Sequence, residues 1–260
     1  MTQAGLTDPI LELVATLRDL RFSVDRRGYD ALSEKFGVEP GSSDFALIIS
    51  LILKRMEHVS DLIMAIDEVD DVVKERQVTC ISNLRRAFSP ATLTHNWKTN
   101  GGGPEMLAEQ FLVGVEALQS HARKVQPIPK LTDEELEQLL LRVSECRQKL
   151  EELQHNDSDF VRQSLIDGIK SFELSLKHFK WLGWDNAFKS FEQAFLLYLI
   201  EEHGMDPSKS GNSKHAEVFK EAGVWIRQFW QIARRAKEHK EVLDFISDTF
   251  DSGTKLLGGG

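Results

Sequence analysis

The chain has 260 residues, of which 41% are hydrophobic and 28% charged, with a formal net charge of −9. Those figures provide for a sizeable core and exclude a disordered chain, a collagen-like repeat and a disulfide scaffold. The negative balance argues against DNA binding, because phosphate backbones are held by clustered Lys and Arg.

From the N-terminus, Asp8-Pro9 reads as a helix cap followed by a first-turn proline, with Ile10, Leu13, Val14, Leu17 and Leu20 on one face. The early Asp and Pro, with no basic stretch before them, do not form a signal peptide. A short helix is expected near Asp30 to Phe36, stopped by Gly37 and Pro40. Ser43 can cap a long helix from Asp44 to about Lys74, in which Ile49, Ile52, Met56, Val59, Ile63, Ile66 and Val73 recur in steps of three and four. Ile48, Leu62, Val69 and Val72 widen that stripe, and Asp70 interrupts it, either as a polar residue that sets register or partner choice or because packing frays near the helix end. The longest apolar run, Phe45 to Leu53, is too short to cross a bilayer and reads as core. Asp67, Glu68, Asp70 and Asp71 read as a solvated face, because a hard-cation site needs oxygens converging from several elements.

Helical spacing continues through Ile81, Leu84 and Phe88, and Ser89-Pro90 restarts a short helix toward Trp97. After Gly101-Gly102-Gly103, Pro104 opens a helix with Leu107, Phe111, Val115 and Leu118 on its face. Residues 125–131 hold two alternate prolines and form the expected linker between an N-terminal lobe, 1–124, and a C-terminal lobe, 132–250. Thr132-Asp133-Glu134-Glu135 is a capping box. Leu136, Leu139, Val143, Cys146, Leu150 and Leu153 follow at helical spacing. A helix capped by Asp157 or Ser158 carries Val161 to Phe179 and stops at Gly183. Another is capped by Asp185 and carries Phe188, Phe191, Phe195 and Leu199 to Gly204. Residues 205–213 are expected as a loop, followed by helices with Val218, Ala222, Trp225, Phe229 and Ile232, then Val242, Phe245 and Ile246, and a flexible tail over 251–260. No stretch alternates with the period of two that a strand needs. The expected fold is all-α: a multi-helix bundle of two lobes with little or no strand.

Cys80 and Cys146 lie in apolar helical patterns without C-x-x-C or Cys/His spacing, so both are expected as buried thiols in a reducing, cytoplasmic setting. No metal-binding, P-loop, nucleophile-elbow or dinucleotide motif is present, and no cofactor is expected. Acidic residues crowd Leu131 to Asp159 and basic residues Lys209 to Lys240, and such opposite patches can pair with each other or with a partner. The C-terminal lobe holds four of the five tryptophans. Trp181, Trp184, Trp225 and Trp230, with Arg227, Arg234 and Arg235, are the candidate binding residues.

The stretch Arg234-Arg235-Ala236-Lys237-Glu238-His239 resembles the R-x4-H motif of HEPN-type ribonucleases, an all-α family. There an arginine holds phosphate while a histidine moves protons without metal. The resemblance covers six residues and implies Arg234 and His239 as catalytic groups and RNA as substrate. It departs from the family at Arg235, where a small polar residue is usual. Asp185 to Phe195 resembles the second helix of a tetratricopeptide unit, but no repeat at about 34 residues accompanies it. The favoured expectation is a non-catalytic helical protein–protein interaction or regulatory module, of a toxin–antitoxin or phage-defence kind. It would bind a protein partner and no membrane, with self-association left open. The ribonuclease is the alternative.

Overall fold

Asp8 begins the first helix as its side chain and spacing require: its Oδ1 accepts from the Leu11 amide at 2.8 Å, and Pro9 occupies the first turn. The computed structural model describes residues 6–98, 101–152, 159–204 and 213–234. Short ladder residues β1 (Leu6–Thr7) and β2 (Ile128–Pro129) form a two-stranded sheet. The rest of the regular structure is helical: α1 (Pro9–Asp19), α2 (Gly28–Phe36), α3 (Ser43–Met64), α4 (Asp71–Arg85), α5 (Pro90–Thr94), α6 (Gly103–Met106), α7 (Glu109–Glu116), α8 (Gln119–Val125), α9 (Asp133–Glu152), α10 (Asp159–Lys177), α11 (Phe179–Gly204) and α12 (Ser213–Ala233). The fold is all-α.

The chain divides into two compact units. The N-terminal unit comprises Thr7–Gln126 together with His178–Asn186; the C-terminal unit comprises Leu6, Pro127–Lys177 and the described residues from Ala187 onward. In the N-terminal unit the predicted face of α1 is fully buried, as are Ile48, Ile52, Met56, Val59 and Ile63 of α3. Gly37 ends α2 in the left-handed conformation at φ 69°. Arg18 ties α1 to α7, donating to Glu109 Oε1 at 2.8 Å and to Glu116 Oε1 at 3.0 Å.

Three expected helices are broken; the one expected to carry Val161 to Phe179 and stop at Gly183 ends at Lys177, and Phe179 opens α11. The helix from Asp44 to Lys74 ends at Met64, and α4 starts afresh with Asp70 as its cap rather than as a polar residue within a stripe. Asp70 Oδ1 accepts from Val72 N at 2.9 Å. Carboxylates at 67, 68, 70 and 71 oppose the negative end of a helix and suit the positive start of the next. Val72 and Val73, expected in the apolar stripe, are consequently 66% and 40% exposed. Ser42, one residue before the expected cap, accepts from Phe45 N at 3.2 Å. The segment after Pro104 forms three short helices instead of one, with breaks at Leu107-Ala108 and Ala117-Leu118. Leu107, Leu112, Val115, Leu118 and Ala122 still reach the core through those breaks.

In the C-terminal unit the capping box forms reciprocally. Glu135 N donates to Thr132 Oγ1 at 3.2 Å and Thr132 N to Glu135 Oε2 at 3.0 Å. Aromatic rings make its core: Phe172 lies 5.5 Å from Trp225 and 5.0 Å from Phe229, and Phe191 lies 4.5 Å from Phe229. Arg147 of α9 donates to Glu173 of α10 at 2.6 Å. Cys146 is buried, whereas Cys80, also expected as buried, is only half-buried; burial still pushes its thiol up, partly offset by Arg76.

Asp70→Ala removes the cap that separates α3 from α4. It should lower stability by about 1 kcal/mol, read as a lower urea midpoint at unchanged slope.

Candidate functional site

Arg55 stands on the buried face of α3, between Ile52 and Met56, and is 4% exposed. A guanidinium in that position needs acceptors, since an unpaired buried charge is costly. Two elements supply them, α1 and the start of α11. Nη2 donates to Glu12 Oε2 of α1 at 3.2 Å. Nη1 donates to Thr16 Oγ1 at 3.0 Å and to the Trp181 carbonyl at 3.1 Å. The Thr16 hydroxyl lies 2.8 Å from the Lys180 carbonyl and 2.9 Å from the Glu12 carbonyl, so its single proton is shared between them. Glu12 Oε2 also faces the Trp184 amide at 3.5 Å.

The segment His178–Asn186 is thereby bonded to α1 and α3 through its backbone. Gly183 makes this geometry available. It breaks α11 with φ 72° and ψ −178°, a conformation essentially confined to glycine. A Cβ there would lie 2.6 Å from Arg55 Cζ. Side chains add further contacts. The Trp181 ring packs edge-on against Phe36 at 5.4 Å, with Lys180 Nζ 4.9 Å and Lys35 Nζ 5.8 Å from it. Asp19 Oδ2 lies 3.0 Å from Lys180 and 3.2 Å from Lys35. Asp185 Oδ2 approaches His58 Nε2 at 3.3 Å, and the same imidazole nitrogen is 3.0 Å from Gln126 Oε1.

Burial dominates the electrostatics. It pushes the Glu12 carboxyl up to about 7, against the pull of Arg55 and the Trp184 amide and with the help of Asp185 and Asp8. It pushes Arg55 down, opposed by Glu12 and Asp185. Asp8, fully buried, is likewise raised by burial in spite of its Leu11 and Arg123 hydrogen bonds.

A cavity of about 190 Å³ lies beside this group, lined by Glu12, Ala15, Thr16, Arg55, Phe179 and Lys180. It is smaller than the roughly 300 Å³ at which small-molecule sites begin. Its guanidinium, carboxylate and hydroxyl are already bonded to one another. Their arrangement is that of a clasp: it fastens backbone and presents no aligned nucleophile and base. Among the described residues, no group of three or more His, Cys, Asp or Glu is placed to hold a metal ion. No helix among them is long and apolar enough to cross a membrane.

The candidate binding residues fall in different places. Trp181 and Trp184 are buried in the N-terminal unit at 7% and 1% exposure, and Trp225 and Trp230 in the C-terminal unit at 1% and 8%. Trp181 belongs to the hydrophobic cluster of the N-terminal unit and Trp225 to the aromatic core of the C-terminal unit. Arg227 and Arg234 are exposed on and just after α12. Arg235 and His239 lie outside the described residues, as do the expected last helix and tail, so the R-x4-H geometry is not on view. Sequence reasoning missed Glu12, Thr16 and Arg55. One signal was available: Arg55 falls on the helical face of Ile48, Ile52 and Val59, where a charge needs a partner.

Gly183→Ala should destabilise the chain by about 3 kcal/mol or more, combining backbone strain with collision against the guanidinium. Gly37→Ala, strained but with nothing within 4 Å of the added carbon, should cost only about 1–2 kcal/mol. Equal losses in urea denaturation would contradict the close approach.

No protein-family model matches the chain, and no solved structure matches it. Among curated proteins it is similar to the E3 ubiquitin-protein ligase BRE1-like 2 of rice, in both Oryza sativa subsp. indica and subsp. japonica. Each is 25% identical over 189 residues, or 72% of this chain. The chain spans about a fifth of the length of those relatives, 20%.

Proposed function

We propose that the chain is a non-catalytic helical protein-interaction module that works beside ubiquitin-ligase chemistry. The observation that carries this reading is the 189-residue similarity to the rice ligases, which runs through most of this chain and only a fifth of theirs. It supports a ligase setting over a toxin–antitoxin or phage-defence one. The Arg55 group adds support, because its polar atoms are engaged within the fold and leave no free acid–base pair. The two free cysteines suit a reducing, intracellular compartment. Exposed aliphatic side chains on the packed pair α4 and α7, Val72, Val73 and Val113, offer contact area of the kind a helical partner covers.

The purified chain is expected to form no ubiquitin conjugates with E1, E2, ubiquitin and ATP alone. In chemical cross-linking in the source cell it is expected to recover a ubiquitin-ligase or ubiquitin-conjugating subunit near one-to-one. Val72→Asp with Val113→Asp should reduce that recovery at least tenfold, while an exposed position changes stability by only about 0.5 kcal/mol. Recovery of no such subunit would refute the reading. So would cleavage of mixed RNA in EDTA that disappears in His239→Ala, which would establish the ribonuclease instead.

A further inference from the structure

We propose that His178–Asn186 is a proton-gated latch, docked on α1 and α3 through its backbone contacts to the Glu12–Arg55 cluster and loosened as pH rises. The inference is independent of the partner proposed above. Its basis is geometric. The segment reaches the N-terminal unit through backbone groups that all converge on one ionisable cluster: the Trp181 carbonyl on Arg55, the Lys180 carbonyl on Thr16, and the Trp184 amide on Glu12. Asp185, the segment's acidic residue within that cluster, faces His58, a contact that is an ion pair only with the imidazole protonated. Gly183 provides a hinge at positive φ in the middle of the segment. The cavity at Glu12, Thr16 and Arg55 gives the cluster free space at its edge.

The charged neighbours are accounted for on every side. Glu12 faces Arg55 from α3, Asp185 from the segment, and Asp8 from the start of α1, which is itself held by Arg123 of α8 at 3.2 Å. Lys180 lines the same cavity but is drawn to Asp19. His58 faces Asp185 and the neutral Gln126. The docked state holds the Glu12 proton up to about pH 7, whereas a hydrated carboxyl releases it near 4.5. A proton bound more tightly in the docked state favours docking at low pH; docking then weakens as pH rises from 4.5 to about 7 and levels off above that.

Amide hydrogen exchange on the full chain tests the latch, with rates corrected for intrinsic pH dependence and residues 139–150 of α9 as the internal control. Opening of 178–186 should increase about tenfold between roughly pH 6 and pH 8, with the α9 residues unchanged. Glu12→Gln should flatten most of that response, and Asp185→Asn, which removes a charge that holds the Glu12 carboxyl up, should make it shallower. A wild-type segment whose protection does not vary with pH overturns the proposal. So does a response in α9 equal to that in the segment, or a full response retained in Glu12→Gln. Should Glu12→Gln fail to fold, the wild-type series and Asp185→Asn decide. A pH-independent wild type, or an unaltered slope in Asp185→Asn, overturns the latch as stated.

Discussion

A guanidinium buried in a helix face can persist only where its donors find acceptors, and the N-terminal unit is arranged around that requirement at Arg55. Helix α1 supplies Glu12 and Thr16 from adjacent turns of one face. The third acceptor, the Trp181 carbonyl, comes from 126 residues further along the chain. Removing one partner of such a pair typically costs about 3–5 kcal/mol, because the remaining charge has no water to return to. Three elements are therefore coupled through a single side chain. Hydrophobic packing alone would hold them with less directional preference.

The same desolvation that makes Arg55 dependent on its partners makes Glu12 reluctant to ionise. Its carboxyl is raised by burial more than Arg55 and the Trp184 amide lower it. A pair of this kind holds backbone in place and senses protons with the same atoms. The C-terminal unit is held by ring packing around Phe172, Phe191, Trp225 and Phe229. Its described ion pairs, such as Arg147 with Glu173 and Glu151, lie at partly exposed positions, where each contributes about 1 kcal/mol or less.

The tryptophans show that residue type alone does not separate a contact surface from a core filler. Indoles are rich contact surfaces at interfaces, and they are also large hydrophobic fillers. Trp181 packs against Phe36 and helps fasten the segment on which it sits, Trp184 is buried, and Trp225 lies in the aromatic core of the other unit. The residues that make the clasp are instead a glutamate, a threonine and an arginine within ordinary amphipathic helices. They form no short motif, because their partners are remote in sequence.

Local chemistry was sufficient for the helical fold, the Asp8 cap, the Thr132–Glu135 box and the Gly37 stop, because each rests on groups a few residues apart whose hydrogen bonds need no distant partner. It also identified the buried faces of α1 and α3, since a period of 3.6 is visible in the residues themselves. The continuity of a helix was less legible: an apolar stripe continued past Met64, but capping at Asp70 and repulsion from the helix end broke it. Tertiary structure alone brought Arg55, Glu12, Thr16 and the 178–186 backbone together. Such a meeting is set by the desolvation of groups far apart in the chain, and desolvation leaves no periodic trace in a sequence.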